Sequence, residues 1–283
     1  MHRLRIFASI LVLCVFALPA YADDIVVVNT GSPDGLMATG SRPSSTGKLE
    51  IETADDFVLT QTTNIVGGTF TGLLPLGVSL SDVTGVTVEF YHVFPVDSTN
   101  PPDNKVPTRM NSPSDMEFAD RSTTSSNLSF TATVLNSTFK AANSVLNGIS
   151  CAPTTPPNCF TGGEGAVMGQ EVQFSFSIDA ETLPADHYFF VPQVELSTGD
   201  FLWLSAPKPI TGGIPFPPGS TDLQTWIRNS DLDPNWIRVG TDVTHQGPFN
   251  ASFSLVAPEP SSFLLLGTGL IALLGVARRK LDA

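Results

Sequence analysis

Apolar and polar residues alternate with a period of two through much of the middle of this chain: residues 48–52 (KLEIE), 86–93 (VTVEFYHV), 127–134 (NLSFTATV), 171–178 (EVQFSFSI) and 250–256 (NASFSLV). That period suits a strand with one buried face, and the hydrogen-bonding partner it implies is antiparallel. Compact apolar runs at 25–28, 188–191 and 201–204 suit strands covered on both faces, and 65–70 suits a strand bent or bulged at Gly67-Gly68. The body shows no sustained helical period, and 23 Gly and 23 Pro punctuate the chain as turns. The pattern predicts an all-β fold over residues 23–257: an antiparallel β-sandwich, jelly-roll-like, large enough to bury a substantial core. No fixed repeat period emerges, which argues against a tandem array.

The two ends are of a different kind. Arg3 and Arg5 precede an apolar run at 6–18, and Ala20-Tyr21-Ala22 presents small residues at a cleavage spacing, so residues 1–22 read as a secretory signal peptide. The run is shorter than the ~20 residues a bilayer core requires, and Pro19 breaks its end. Export removes Cys14 and leaves Cys151 and Cys159 in an oxidising compartment. They bracket the Pro-rich APTTPPN, which is neither helix nor central strand, so a disulfide there staples a short surface loop, worth roughly 2.5 kcal/mol in the chain-entropy picture. A metal or redox pair is the alternative, but no CxxC, second cysteine pair or nearby histidine accompanies them.

At the other end, residues 262–277 (SFLLLGTGLIALLGVA) carry no charge and are followed by Arg278, Arg279 and Lys280. The stretch is short for a full span but reaches across a bilayer with its flanks, and the basic cluster predicts a cytoplasmic carboxyl terminus. Together with Pro258-Glu259-Pro260 ahead of it, this arrangement resembles the PEP-CTERM sorting signal of Gram-negative bacteria. The resemblance covers residues 258–283. It implies recognition by an exosortase, a membrane transpeptidase-like protease, with removal of the helix and release or anchoring at the cell envelope. Such proteins typically come from biofilm- or exopolysaccharide-producing bacteria. Pro258, Glu259 and Pro260 would be the recognition motif, and Arg278, Arg279 and Lys280 the stop signal.

Without Arg3, Arg5, the three terminal bases, Glu259 and Asp282, the body keeps nine bases against 25 acids, a net charge of −16. This argues against a nucleic-acid partner, which needs a basic footprint. It suits solubility in a polysaccharide matrix and divalent-cation bridging. Two long irregular segments, 95–124 and 136–169, exceed ordinary hairpin turns and read either as a binding rim or as surface decoration.

Two side-chain constellations stand out. Asp55 and Asp56 open what reads as a strand in ETADDFVL, and paired hard oxygens could hold Ca²⁺; alternatively they cap a turn or face solvent while Phe57 anchors the core. The motif also resembles an Ala-Asp-Asp-Phe segment of many exported bacterial β-sandwich proteins. Trp226-Ile-Arg228 recurs as Trp236-Ile-Arg238 across an acidic turn. A hairpin would bring both pairs together, either as an exposed glycan-stacking platform or as core tryptophans with Arg228 and Arg238 lying over the rings. Asp231, Asp233 and Asp242 lack the spacing of a calcium loop.

His92, His187 and His245 fall in no metal-binding spacing, and GxSxG, Walker and dinucleotide patterns are absent. The expectation is a non-enzymatic structural or adhesive protein of the cell surface or extracellular matrix. A secreted glycan-binding module is the alternative, and a hydrolase would need two carboxylates facing across a cleft.

Overall fold

The computed structural model describes residues 24–101, 103–210 and 216–259. The signal peptide, the apolar segment 262–277, Pro260 and Arg278 to Lys280 lie outside the described residues.

Two sheets face each other. One has six strands in the order β13 (Ile237–Arg238), β12 (Trp226–Asn229), β3 (Ile51–Val58), β10 (His187–Leu196), β5 (Val83–Val93) and β6 (Pro113–Ser122). The other has nine. Its main path runs β1 (Asp24–Asn29), β15 (Phe253–Pro258), β4 (Thr63–Pro75), β11 (Leu202–Ala206), β2 (Met37–Gly40) and β8 (Asn143–Val145). Off that path, β9 (Val167–Leu183) pairs with β4, β7 (Leu128–Ala141) with β9, and β14 (Asn250–Ala251) with β11. Pairs such as β4 with β9 and β10 with β5 are antiparallel, whereas β2 and β8 are parallel. This is the all-β sandwich that the alternation requires.

Aromatic rings fill the space between the sheets. Phe57, Phe90 and Phe190 come from the six-stranded side, and Phe70, Phe174, Phe176, Phe201, Trp203 and Phe253 from the other. Phe70 stacks on Phe174 at 5.0 Å, and Phe190 meets Phe253 at 5.1 Å across the two sheets. Truncating any one of these to Ala should cost ~3–5 kcal/mol, because each is both a large apolar surface and a cavity if removed.

Gly67 and Gly68 sit at the expected irregularity, where the β4 register against β9 shifts between Ile65 and Gly67. A Cβ on Gly68 would fall 2.1 Å from the carbonyl oxygen of Ser254, so only glycine lets β15 lie this close to β4.

Some boundaries and faces differ from expectation. Residues 48–50 form no strand; β3 starts at Ile51 and is buried on both faces nearly throughout, because the nine-stranded sheet covers one side and loops cover the other. Residues 86–93 are likewise covered on both sides rather than half-buried. Residues 25–28 lie in β1, an end strand whose first residues are exposed. The long segments shrink, since 113–122 forms β6 and β7 extends to Ala141. The alternation of 127–134 and 171–178 does correspond to half-buried strands.

Candidate functional site

The loops singled out in sequence meet in one groove. Residues 103–105 between β5 and β6, residues 149–154 of the cysteine loop, and Asp231 and Leu232 between β12 and β13 line a groove of about 550 Å³. Ile149, Pro153 and Leu232 supply apolar surface, and Asp103, Asn104, Lys105, Ser150, Thr154 and Asp231 supply polar groups.

Its walls are tied down. Cys151 and Cys159 are joined by a disulfide, and Ala152 and Asn158 close the same loop through backbone hydrogen bonds. The Glu164 carboxylate accepts the amides of Leu146, Asn147 and Gly148 at 2.8–2.9 Å. Asn229 Nδ2 donates to the Ile149 carbonyl at 3.3 Å, and Asn235 Nδ2 donates to Asp103 Oδ2 at 3.1 Å. Burial works against the charge of Asp103, but the Lys105 amide and the Asn235 side chain hold its carboxyl below the usual range. Asp115, ion-paired with Arg109, accepts the amides of Thr99 and Asn100.

The groove's Ile149 and Leu232 pack in one cluster with Ile227 and Ile237, and the tryptophans form a separate one. β12 and β13 form the expected hairpin, with Trp226 opposite Arg238. Yet Trp226 and Trp236 are 1% and 0% exposed, so neither offers a face for stacking on sugar. They pack with Tyr91, Phe189 and Val191, because the outer face of this sheet is roofed by loops. Arg228 lies 4.3 Å over Trp236, and Arg238 lies 5.9 Å over Trp226 and pairs with Asp242. The glycan platform on these four residues is therefore corrected to a core arrangement. Asp231, Asp233 and Asp242 are likewise divided: Asp231 lines the groove, Asp233 binds Arg228 at 2.9 Å and Asp242 binds Arg238.

Arg228 is the centre of a buried polar network that sequence reasoning missed. Its guanidinium forks onto Glu52 through Nε and Nη2 and also donates to the Tyr91 hydroxyl at 3.0 Å. Tyr91 Oη lies 2.7 Å from Glu52 Oε1 and 3.1 Å from Glu89 Oε2. A phenol has one proton, which Glu52 receives, so the contact with Glu89 is satisfied when Glu89 is the donor. Burial, with Glu52 and Glu117 nearby, pushes the Glu89 carboxyl well up, in keeping with a neutral acid in that role. Burial opposes the charge on Arg228, but Glu52 outweighs it and raises its pKa further. The signal was present in sequence only as even spacing: Glu52 and, on another strand, Glu89 and Tyr91 share the outward parity.

Asp55 and Asp56 lie within β3 rather than at its start, and consecutive strand residues point to opposite faces. Asp55 turns toward the other sheet, where Oδ2 accepts the Ala251 amide at 2.8 Å and Oδ1 the Thr225 hydroxyl at 3.2 Å. Asp56 turns outward, where Oδ2 accepts the Leu223 amide at 3.1 Å and meets His187 Nε2 at 2.7 Å. The pair is thus a two-sided clamp through one strand, not a shared calcium seat. Among the described residues no group of three or more His, Cys, Asp or Glu is placed to hold a metal ion. Burial and the adjacent Asp56 push the Asp55 carboxyl well up. His92 packs against Tyr188 at 4.9 Å and His245 against Phe160 at 4.3 Å.

The sorting residues adjoin the fold directly. β15 carries Val256 opposite Gly67 and ends at Pro258, with Glu259 next in the chain. Residues 256–280 match the family model of the PEP-CTERM protein-sorting motif. That motif marks an exported, envelope-associated protein sorted by an exosortase. No curated protein and no solved structure matches the chain.

Proposed function

We propose that this chain is a structural or adhesive component of the cell surface or extracellular matrix, held at the inner membrane by its tail until an exosortase processes it. The observation that carries the reading is the join between fold and signal. The sorting match begins at Val256, inside the last strand, so no stalk separates the sandwich from the segment to be processed. A body with net charge −16 stays soluble among polysaccharides and attracts divalent cations that bridge it to other anionic chains. The reading is non-catalytic. Its support is that Glu52 and Glu89, a carboxylate pair that the fold does bring together, are committed to Arg228 and Tyr91 and are only 5% and 8% exposed.

The test is intact and peptide mass spectrometry of the protein from envelope and medium fractions of its host. Loss of the chain beyond the Pro258-Glu259-Pro260 region, with protein in the matrix, is the expected result. A chain still ending at Ala283 in every fraction would overturn processing. A glycan-binding reading is favoured by one observation: the loop groove is pre-organised and rimmed by Asp231, Lys105, Ser150 and Thr154, groups that hydrogen-bond hydroxyls.

A further inference from the structure

Among the described residues β7 pairs on one side only, with β9. It is 14 residues long, and from Leu128 to Phe139 (LSFTATVLNSTF) it contains no charge, proline or glycine. A long edge of this composition presents unpaired backbone N–H and C=O groups to any strand that can approach. The other sheet ends are charged or much shorter than β7. β6 carries Asp115, Glu117, Asp120 and Arg121, β8 and β13 are three and two residues long, and β1 starts at Asp24. Strand β7 lacks these devices until Lys140.

We propose that β7 pairs edge to edge with β7 of a second copy of this chain, fusing the two nine-stranded sheets across a two-fold axis. The strand itself identifies the partner. The body around it is strongly acidic, so copies repel elsewhere and meet most easily along a neutral strand. The segment from Leu128 to Val134 pairs without a bulge against Ile178 to Val172 and is therefore straight enough to accept a second strand. Antiparallel pairing centred on Thr131 sets Leu128 against Val134, Ser129 against Thr133 and Phe130 against Ala132. Every pair keeps both side chains on one face. Ser129, Thr131 and Thr133 are exposed on one side, while Phe130 and Ala132 pack toward the core on the other. Hydroxyl faces hydroxyl and apolar faces apolar, as stable cross-strand pairs require. A self-complementary patch of this kind closes as a dimer rather than growing without limit. The inference adds a partner to the matrix reading and stands independently of it.

Site-directed cross-linking tests the register on the full-length chain in mild detergent, with the Cys151–Cys159 disulfide intact. Thr131 faces its own copy across the axis, whereas Ser137 lies roughly 40 Å from its copy at ~3.4 Å per residue. Both are exposed, so neither substitution disturbs the core. Thr131→Cys should give covalent dimers with a short thiol-reactive bifunctional reagent at least tenfold faster than Ser137→Cys. Equal rates, or no dimer from Thr131→Cys, would overturn the pairing. Thr131→Lys sets two ammonium groups opposite each other and should abolish the non-covalent dimer in sedimentation; a dimer that survives it also refutes the register. The readout does not depend on where the protein resides. Failure here leaves matrix localisation standing, and failure of the fractionation test leaves the pairing standing.

Discussion

Arg228→Met is the substitution with the largest consequence to work out. The side chain is 7% exposed and forks onto Glu52, which is equally buried, while also serving Tyr91, Asp233 and the face of Trp236. Met keeps most of the stem's volume and removes every donor. Glu52 is then a buried carboxylate with Glu50, Glu89 and Glu117 nearby and no cation against it. Breaking a buried pair by removing one partner costs ~3–5 kcal/mol, most of it the stranded charge. Denaturant unfolding followed by tryptophan emission should therefore show a loss of about that size at pH 7. Adding Glu52→Gln should recover at least half of the loss, because a neutral amide tolerates the site that the charge does not. A single-variant cost below about 1 kcal/mol, or strict additivity of the two substitutions, would refute the claim that these groups act as one network.

Two further expectations concern pH and the groove. Glu89 and Asp55 are both raised by burial, so the folded state holds their protons more tightly than the unfolded chain, and stability falls as pH rises above the ordinary carboxylate range near 4.5. Glu89→Gln keeps a donor for the Tyr91 hydroxyl; thermal melts between pH 5 and 8 should show a flatter decline than wild type, and unchanged slopes would show that Glu89 is not the neutral donor. On the groove, Asp231→Ala should weaken binding of host exopolysaccharide about tenfold, the equivalent of one charge-assisted hydrogen bond, with the melting temperature unchanged. Undiminished binding would remove the groove from the glycan reading.

The Asp55-Asp56 pair shows where legibility ended. Their types and adjacency were plain in the sequence, and so was their place beside Phe57, which does anchor the core. What they do depends on β14 lying against one face of β3 and residue 223 lying against the other. Those contacts join positions 196 and about 167 residues away, and no local pattern encodes them. The tryptophans behaved the same way. Their hairpin followed from spacing, but their burial was decided by distant parts of the chain, among them the start of β6, whose Ser114 carbonyl accepts the Trp236 indole N–H.

Local chemistry alone therefore determined the strand class, the cysteine staple's partners and the sorting tail, because period, spacing and charge flanks act over a few residues. The tertiary structure decided which faces were covered twice, which carboxylates were buried together or used as clamps, and which edge was left bare. Burial and desolvation depend on what another part of the chain places against a residue, and alternation records only that a strand has two faces, not what meets each of them.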